Sequence, residues 1–152
     1  MRTRHEDLLS WDLASIRAYL DGFDRPANGE AREVETNATG ELVIIRNMPL
    51  PDGLHPDYID LLMMAPDYPI RPPIGIYLLE RDNGALIQQL RRIFNVMNTA
   101  FHDAQTVEGY VWICVHYQNN AWRYNPNHPA TGDNLTKFII HFFNSCHDGR
   151  DA

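Results

Sequence analysis

Lysine is almost absent from this chain, and cysteine is scarce. Lysine and arginine number 13 against 20 acidic residues, which gives a formal net charge of −7, and Lys137 is the one lysine. This acidic balance argues against a nucleic-acid-binding protein, because binding to phosphates requires clustered basic side chains. Two cysteines, Cys114 and Cys146, do not make a disulfide framework in a chain of 152 residues, so we expect reduced thiols and a cytoplasmic location.

Long apolar runs are missing as well. No stretch approaches the roughly 20 residues that a membrane-spanning helix needs, and residues 1–7 lack the apolar core of a signal peptide. We therefore expect no membrane association. The histidines and cysteines lack the paired spacing of zinc ligands, and neither a glycine-rich phosphate loop nor a Gly-x-Ser-x-Gly turn occurs. The sequence thus predicts no metal and no cofactor.

The 152 residues are most simply one domain, and a hydrophobic content of 44% allows a substantial core. Apolar residues at helical spacing predict a first helix, which we expect to begin at a Ser10 cap and to run to about Asp21. Three apolar segments with turn residues between them then predict strands at 41–47, 58–64 and 74–79. A short strand at 32–36, in a polar stretch, could pair with the first of these through the turn at Thr39-Gly40. Short connections between strands indicate an antiparallel meander.

The second half of the chain predicts two further helices. Periodic apolar residues indicate an amphipathic helix over about 85–99, after the break at Asn83-Gly84. A last helix over about 134–145 is expected to be capped by Thr131 or Asp133. A short apolar segment, 111–115, lies between the two helices. The fold class that follows is α+β.

Two short motifs contain candidate functional residues in addition to these predicted helices and strands. Asp67-Tyr68-Pro69-Ile70-Arg71-Pro72-Pro73 lies between two predicted strands and by itself indicates a rigid turn, because proline fixes φ and removes a donor. Ile113-Cys114-Val115 ends an apolar segment, and Trp122 follows eight residues after the cysteine. By itself Cys114 is either a buried structural cysteine or a nucleophile. We expect Cys146 to be structural.

Together these motifs resemble those of the ubiquitin-conjugating enzymes. The first matches the family's Tyr-Pro-x-x-Pro-Pro signature, and the second matches its catalytic cysteine, with a tryptophan eight residues later and a helix beyond. The order of the predicted helices and strands is similar too, and the resemblance covers about residues 8–80 and 110–145. It is closest to the divergent bacterial branch. Members of that branch are typically encoded beside a ubiquitin-like protein, an activating enzyme and a JAB-type peptidase.

The resemblance implies a ubiquitin-conjugating-like fold with an N-terminal helix, a four-stranded antiparallel meander, an inserted helix, an active-site loop and a C-terminal helix. It also implies that Cys114 accepts a ubiquitin-like protein from an activating enzyme as a thioester and transfers it to an acceptor. An antiphage role fits the family, although no residue in this chain points to it. The residues that would shape and support the site are Tyr68, Pro69, Pro72, Pro73 and Trp122.

The chain departs from the family pattern around the cysteine. The family's His-Pro-Asn, whose asparagine supports the oxyanion, is missing, and the candidate replacements are His102, Asn119 and Asn120. His116, two residues after the cysteine, can activate the thiol or deprotonate an incoming amine. A helix is inserted before the cysteine, about nine residues are added after Trp122, and the family's last two helices are missing. We therefore expect a single domain, 1–152, that is shortened at its C-terminus.

These departures leave alternatives open. The missing His-Pro-Asn favours a catalytically inactive protein of the same fold, which binds a ubiquitin-like protein or an activating enzyme. A third interpretation is an interaction domain that docks a partner through its proline-rich turn. If the chain is an enzyme, Asp103 and Asp148 are candidates for an acid that helps to deprotonate the acceptor amine.

Overall fold

The computed structural model describes residues 4–24, 29, 31–97, 107–117 and 122–150. Within these residues the chain forms three α-helices and six strands, with a short 3₁₀ turn at Pro129–Thr131. In chain order the elements are α1 (Arg4–Leu20), β1 (Glu33–Thr36), β2 (Leu42–Pro49), β3 (Tyr58–Met64), β4 (Gly75–Leu79), α2 (Gly84–Leu90), β5 (Asn95–Met97), β6 (Tyr110–Cys114) and α3 (Leu135–Asp148). The α+β class predicted from the sequence is confirmed.

The strands form one antiparallel sheet in the order β1-β2-β3-β4-β6-β5. The first four strands are the expected meander. The expectation of a four-stranded sheet is wrong, because β6 pairs with β4 and β5 pairs with β6. Cys114 is consequently the last residue of a strand inside the sheet, and the expected active-site loop begins only after it.

The inserted helix is shorter than the sequence suggests. It ends at Leu90, and part of the segment 85–99 that was expected to be helical forms the edge strand β5. The helical spacing continues past the helix end, since the Phe94 amide still donates to the Leu90 carbonyl at 2.8 Å. Pairing with β6, which sets Asn95 opposite Cys114, then outweighs the local periodicity.

The expected helix caps are also wrong. Helix α1 already begins at Arg4, so Ser10 lies in its interior. Helix α3 is capped by neither Thr131 nor Asp133, because the Asn134 side chain accepts from the Lys137 amide at 2.8 Å. Thr131 instead lies in the 3₁₀ turn, where its hydroxyl donates to the His128 carbonyl at 2.9 Å. The Asp133 side chain is engaged elsewhere, as described below.

The core lies between one face of the sheet and the helices. Buried side chains alternate along β3 and along β2 as far as Arg46, as a sheet with one covered face requires. The register shift between Ile45 and Met48 ends the alternation in β2. Five fully buried members of this core come from five different elements, namely Ile16, Ile45, Met63, Ile113 and Phe142. Cys146 belongs to the same core. Across the described part of the chain, none of the helices combines the length and apolar character needed to cross a membrane.

Candidate functional site

The proline-rich turn between β3 and β4 is tied to the tryptophan that follows the cysteine. The Tyr68–Pro69 peptide bond is cis, and the Ile70 amide donates to the Asp67 carbonyl at 2.8 Å, which closes the turn. The Trp122 indole nitrogen donates to the Pro69 carbonyl at 2.8 Å. The two motifs that the sequence places 53 residues apart are therefore joined directly.

The ring of Tyr68 is buried and reaches a carboxylate in the centre of the molecule. Its hydroxyl donates to Asp12 Oδ2 at 3.0 Å. The Leu135 amide donates to the same oxygen at 2.6 Å, while Thr136 donates its amide (2.9 Å) and its hydroxyl (2.6 Å) to Oδ1. Burial raises the pKa of the Asp12 carboxyl, and the hydrogen bonds from Thr136, Leu135 and Tyr68 oppose this rise. Asp12 thus joins α1, the proline-rich turn and the start of α3.

The chain leaves this turn and enters β4 at a glycine that has no room for a side chain. Gly75 has a φ of +154°, and a Cβ there would overlap the Trp112 ring and lie 2.8 Å from the Ile113 carbonyl oxygen. The Trp112 indole nitrogen donates to the Ile74 carbonyl at 2.9 Å. This close approach of β4 and β6 brings Pro72 and Pro73 beside the end of the cysteine strand.

A cleft of about 280 Å³ opens at that end of β6. It is lined by Pro72, Pro73, Cys114, Val115, His116, Tyr117 and Phe138. Cys114 is partly exposed, and its Sγ lies 3.8 Å from Nε2 of the exposed His116. An imidazole at this distance can take the proton of the thiol, and the thiolate is the reactive form of cysteine. The arrangement is chemically suited to nucleophilic attack by sulfur.

One wall of the cleft is held by a second carboxylate, Asp133. The Tyr117 hydroxyl donates to Asp133 Oδ1 at 2.9 Å, and the Arg123 amide donates to Oδ2 at 2.6 Å. The Tyr117 ring meets Trp122 edge-on at a centroid distance of 5.6 Å and lies against Phe138 at 5.9 Å. Burial, the hydrogen bond to Asp133 and the charge of Asp133 raise the pKa of the Tyr117 hydroxyl.

The structure distributes the predicted site residues unevenly. Pro72, Pro73, Cys114 and His116 line one cleft, and Tyr68 and Pro69 are not among its lining residues. The Pro69 carbonyl is connected to the cleft through Trp122, whose ring contacts Tyr117. His102, Asn119, Asn120 and Asp103 fall outside the described residues. Asp148 lies at the exposed end of α3, where it is 3.2 Å from Nδ1 of His147.

Sequence patterns alone suggest no functional role for three residues at or near the site, namely Asp12, Tyr117 and Asp133. Asp12 is more than 120 residues from the α3 amides that it binds, so no local pattern marks it. Tyr117 offered only its position three residues after Cys114. In the described ranges, no group of three or more His, Cys, Asp and Glu side chains is placed to hold a metal ion.

Comparisons with known proteins found no relative of this chain. No family model, no curated protein and no solved structure matches the chain. Any function for the cleft therefore has to be argued from its geometry, its chemistry and the two sequence motifs that meet there.

Proposed function

We propose that this protein is a ubiquitin-conjugating-like enzyme that carries a ubiquitin-like protein as a thioester on Cys114 and transfers it to an acceptor. The observation that carries the proposal is the partly exposed thiol at the end of β6, which lies in a cleft with an imidazole nitrogen 3.8 Å away. The motif resemblance names the cargo, and the geometry supplies a thiol that can hold it.

The first reaction, loading of Cys114, needs few catalytic groups from the protein. The Cys114 sulfur attacks the carbonyl carbon of the modifier's C-terminal residue, which arrives as a thioester on an activating enzyme. A new carbon–sulfur bond forms, the old one breaks, and the departing thiolate takes up a proton. Because one thioester replaces another, the exchange is close to balanced in free energy. In this proposal Nε2 of His116, 3.8 Å from Sγ, accepts the proton of the attacking thiol.

The second reaction, transfer to an acceptor, needs both a base and hydrogen-bond donors to an oxyanion. An acceptor amine attacks the thioester carbon, a tetrahedral oxyanion forms, and the Cys114 thiolate leaves. Once the imidazole of His116 has passed the thiol proton to the departing thiolate, it takes a proton from the incoming amine. The candidate donors to the oxyanion are His102, Asn119 and Asn120.

The size and lining of the cleft support a tail-like cargo. A volume of about 280 Å³ lies just below the roughly 300–1,000 Å³ of typical small-molecule pockets. Rigid or apolar side chains, Pro72, Pro73 and Phe138, form much of its lining. Such a site suits a short extended segment of small residues better than an enclosed ligand.

The partners proposed with this function are a ubiquitin-like protein and a ubiquitin-activating-like enzyme, with a JAB-type peptidase in the same bacterial pathway. The cytoplasm is the compartment that suits an enzyme of this kind, because its thiols stay reduced there.

A binding module that performs no chemistry is the second candidate. The side chain of Ile70 projects from the proline-rich turn with 69% of its surface exposed. The missing His-Pro-Asn favours this candidate, and contact with a partner through Ile70 would need no reaction at Cys114.

One experiment separates the two candidates. The chain is mixed with its cognate activating enzyme, the ubiquitin-like protein and ATP, and products are run with and without reductant. The enzyme predicts a reductant-sensitive adduct that disappears in Cys114→Ala and persists in Cys146→Ala. Lys137 is the only lysine of this chain, so a Lys137→Arg variant cannot form a reductant-resistant isopeptide bond through a lysine of its own. Absence of an adduct with wild-type protein and a charged activating enzyme supports the binding module instead.

A further inference from the structure

We infer that Asp133 is a positioning residue of the Cys114 site, because it holds both ends of the segment that follows the cysteine and, through Tyr117, keeps His116 beside the thiol. The consequence for acyl transfer rests on the proposed function. The consequence for the reactivity of the thiol does not, and it is tested without any partner. We call Tyr117, Arg123 and Asp133 the clasp.

The clasp uses both oxygens of one buried carboxylate. Asp133 is 9% exposed; Oδ1 accepts from the Tyr117 hydroxyl at 2.9 Å, and Oδ2 accepts from the Arg123 amide at 2.6 Å. The Asp133 amide in turn donates to the Arg123 carbonyl at 2.7 Å, so this end of the clasp is a closed pair. Residues 117 and 123 are thereby fixed to the backbone that enters α3.

The clasp acts at short range on the reactive pair. Tyr117 follows His116 directly, and the Tyr117 ring is confined by Trp122 at 5.6 Å, Phe138 at 5.9 Å and His141 at 5.6 Å. With the hydroxyl fixed as well, the ring has one orientation, and the backbone next to His116 is held with it. The 3.8 Å separation of Cys114 Sγ and His116 Nε2 depends on that backbone.

The main test compares two substitutions of the same residue. Asp133→Ala removes both side-chain bonds. Asp133→Asn can keep both, since its carbonyl oxygen accepts from the Arg123 amide and its NH₂ donates to the Tyr117 hydroxyl oxygen, which also accepts hydrogen bonds. The measurement is the rate at which iodoacetamide alkylates Cys114 in the folded full chain, followed by mass spectrometry of the Cys114 peptide. We expect Asp133→Ala to slow alkylation about tenfold and Asp133→Asn to stay within about twofold of wild type.

A second comparison tests the route through His116. In a His116→Gln background the imidazole is gone, so Asp133→Ala is expected to slow alkylation by less than about twofold further. Full additivity of the two substitutions would show that Asp133 acts on the thiol by another path and would overturn the inference. If Asp133→Ala does not fold, Tyr117→Phe serves in its place, because it removes only the bond to Oδ1; about threefold slower alkylation is then expected.

Asn134→Ala is the matched control for stability. It removes the cap of α3 from the neighbouring position and leaves the clasp bonds in place. It is expected to alkylate at the wild-type rate. The inference is overturned if this control slows alkylation as much as Asp133→Ala does, if Asp133→Ala reacts like wild type, or if Asp133→Asn is as slow as Asp133→Ala. None of these results depends on whether a thioester forms with a ubiquitin-like protein.

Discussion

Two aspartate–tyrosine pairs lie near the start of α3, and they differ in what they hold together. Asp12 pairs with Tyr68 in the interior, and Asp133 pairs with Tyr117 beside the cleft. Asp12 is fully buried and accepts four hydrogen bonds from the proline-rich turn and α3. Asp133 accepts from the two ends of a single segment. The same chemical pair therefore joins distant elements of the fold in one place and fixes one wall of the candidate site in the other.

The difference follows from what happens to the donors when each carboxylate is removed. Around Asp12 the donors are buried, so losing the carboxylate deprives the Leu135 and Thr136 amides of an acceptor away from water, while the Tyr68 hydroxyl keeps the Leu8 carbonyl at 3.3 Å. Around Asp133, Tyr117 is partly exposed and Arg123 is exposed, so freed groups can be hydrated. We therefore expect Asp12 to matter chiefly for stability and Asp133 chiefly for the thiol.

The largest expected effect comes from Asp12→Ala. Depriving two buried amides of their acceptor, and two buried hydroxyls of their shorter hydrogen bond, should lower the free energy of unfolding by about 3–5 kcal/mol, against about 1–2 kcal/mol for Asp133→Ala. Urea unfolding of the wild type and both variants, followed by circular dichroism, measures the difference. Equal losses would show that the two carboxylates contribute alike to the fold and would remove the contrast between them.

Much of the frame that these carboxylates join is visible in the sequence. The apolar face of α1 and the alternation in β2 and β3 are local patterns, and they lead to the helix and the meander. Strand β5 is not predicted because Met97 continues the helical spacing of Leu90 and Ile93, and residues 95–97 become a strand only by pairing with β6. Partners that lie in another part of the chain leave no trace in a short window of sequence.

The candidate site also consists of residues that the sequence alone can predict and of contacts that it cannot. Pro72, Pro73, Cys114 and His116 belong to short motifs, so the sequence alone nominates them. The contacts that hold them in place are long-range: Tyr68 and Asp12 are 56 residues apart, and Tyr117 and Asp133 are 16 apart. A lone aspartate before a helix reads as a cap, and the structure gives that role to Asn134 instead. The motif identifies the candidate reactive sulfur, whereas the contacts that hold its surroundings in place depend on the fold.

A smaller effect separates the two tyrosines. Tyr68→Phe removes one donor from a buried carboxylate and should lower the free energy of unfolding by about 1–2 kcal/mol while leaving Cys114 alkylation unchanged. Tyr117→Phe should lower it by less than about 1 kcal/mol and slow alkylation. Denaturation and alkylation measured on the same preparations give both quantities. A Tyr68→Phe variant with a slowed thiol would mean that the interior pair also sets the geometry of the site.

The smallest expected effect is a difference in alkaline stability. Burial and the neighbouring Asp12 raise the pKa of Tyr68 above 10.0, and burial with Asp133 does the same for Tyr117. Above that pH the unfolded chain releases these protons while the folded chain keeps them, so stability falls as the pH rises.

Unfolding free energies measured between about pH 9 and pH 11 should therefore decline less steeply in Tyr68→Phe and Tyr117→Phe than in the wild type. We expect the two substitutions to flatten the decline by similar amounts over this range, because both hydroxyls keep their protons in the folded chain there and the slope counts only the protons that the unfolded chain has released. If only Tyr117→Phe changed the slope, the hydroxyl beside the cleft would be the more tightly held of the two, and the division between a pair for the fold and a pair for the site would have to be reversed.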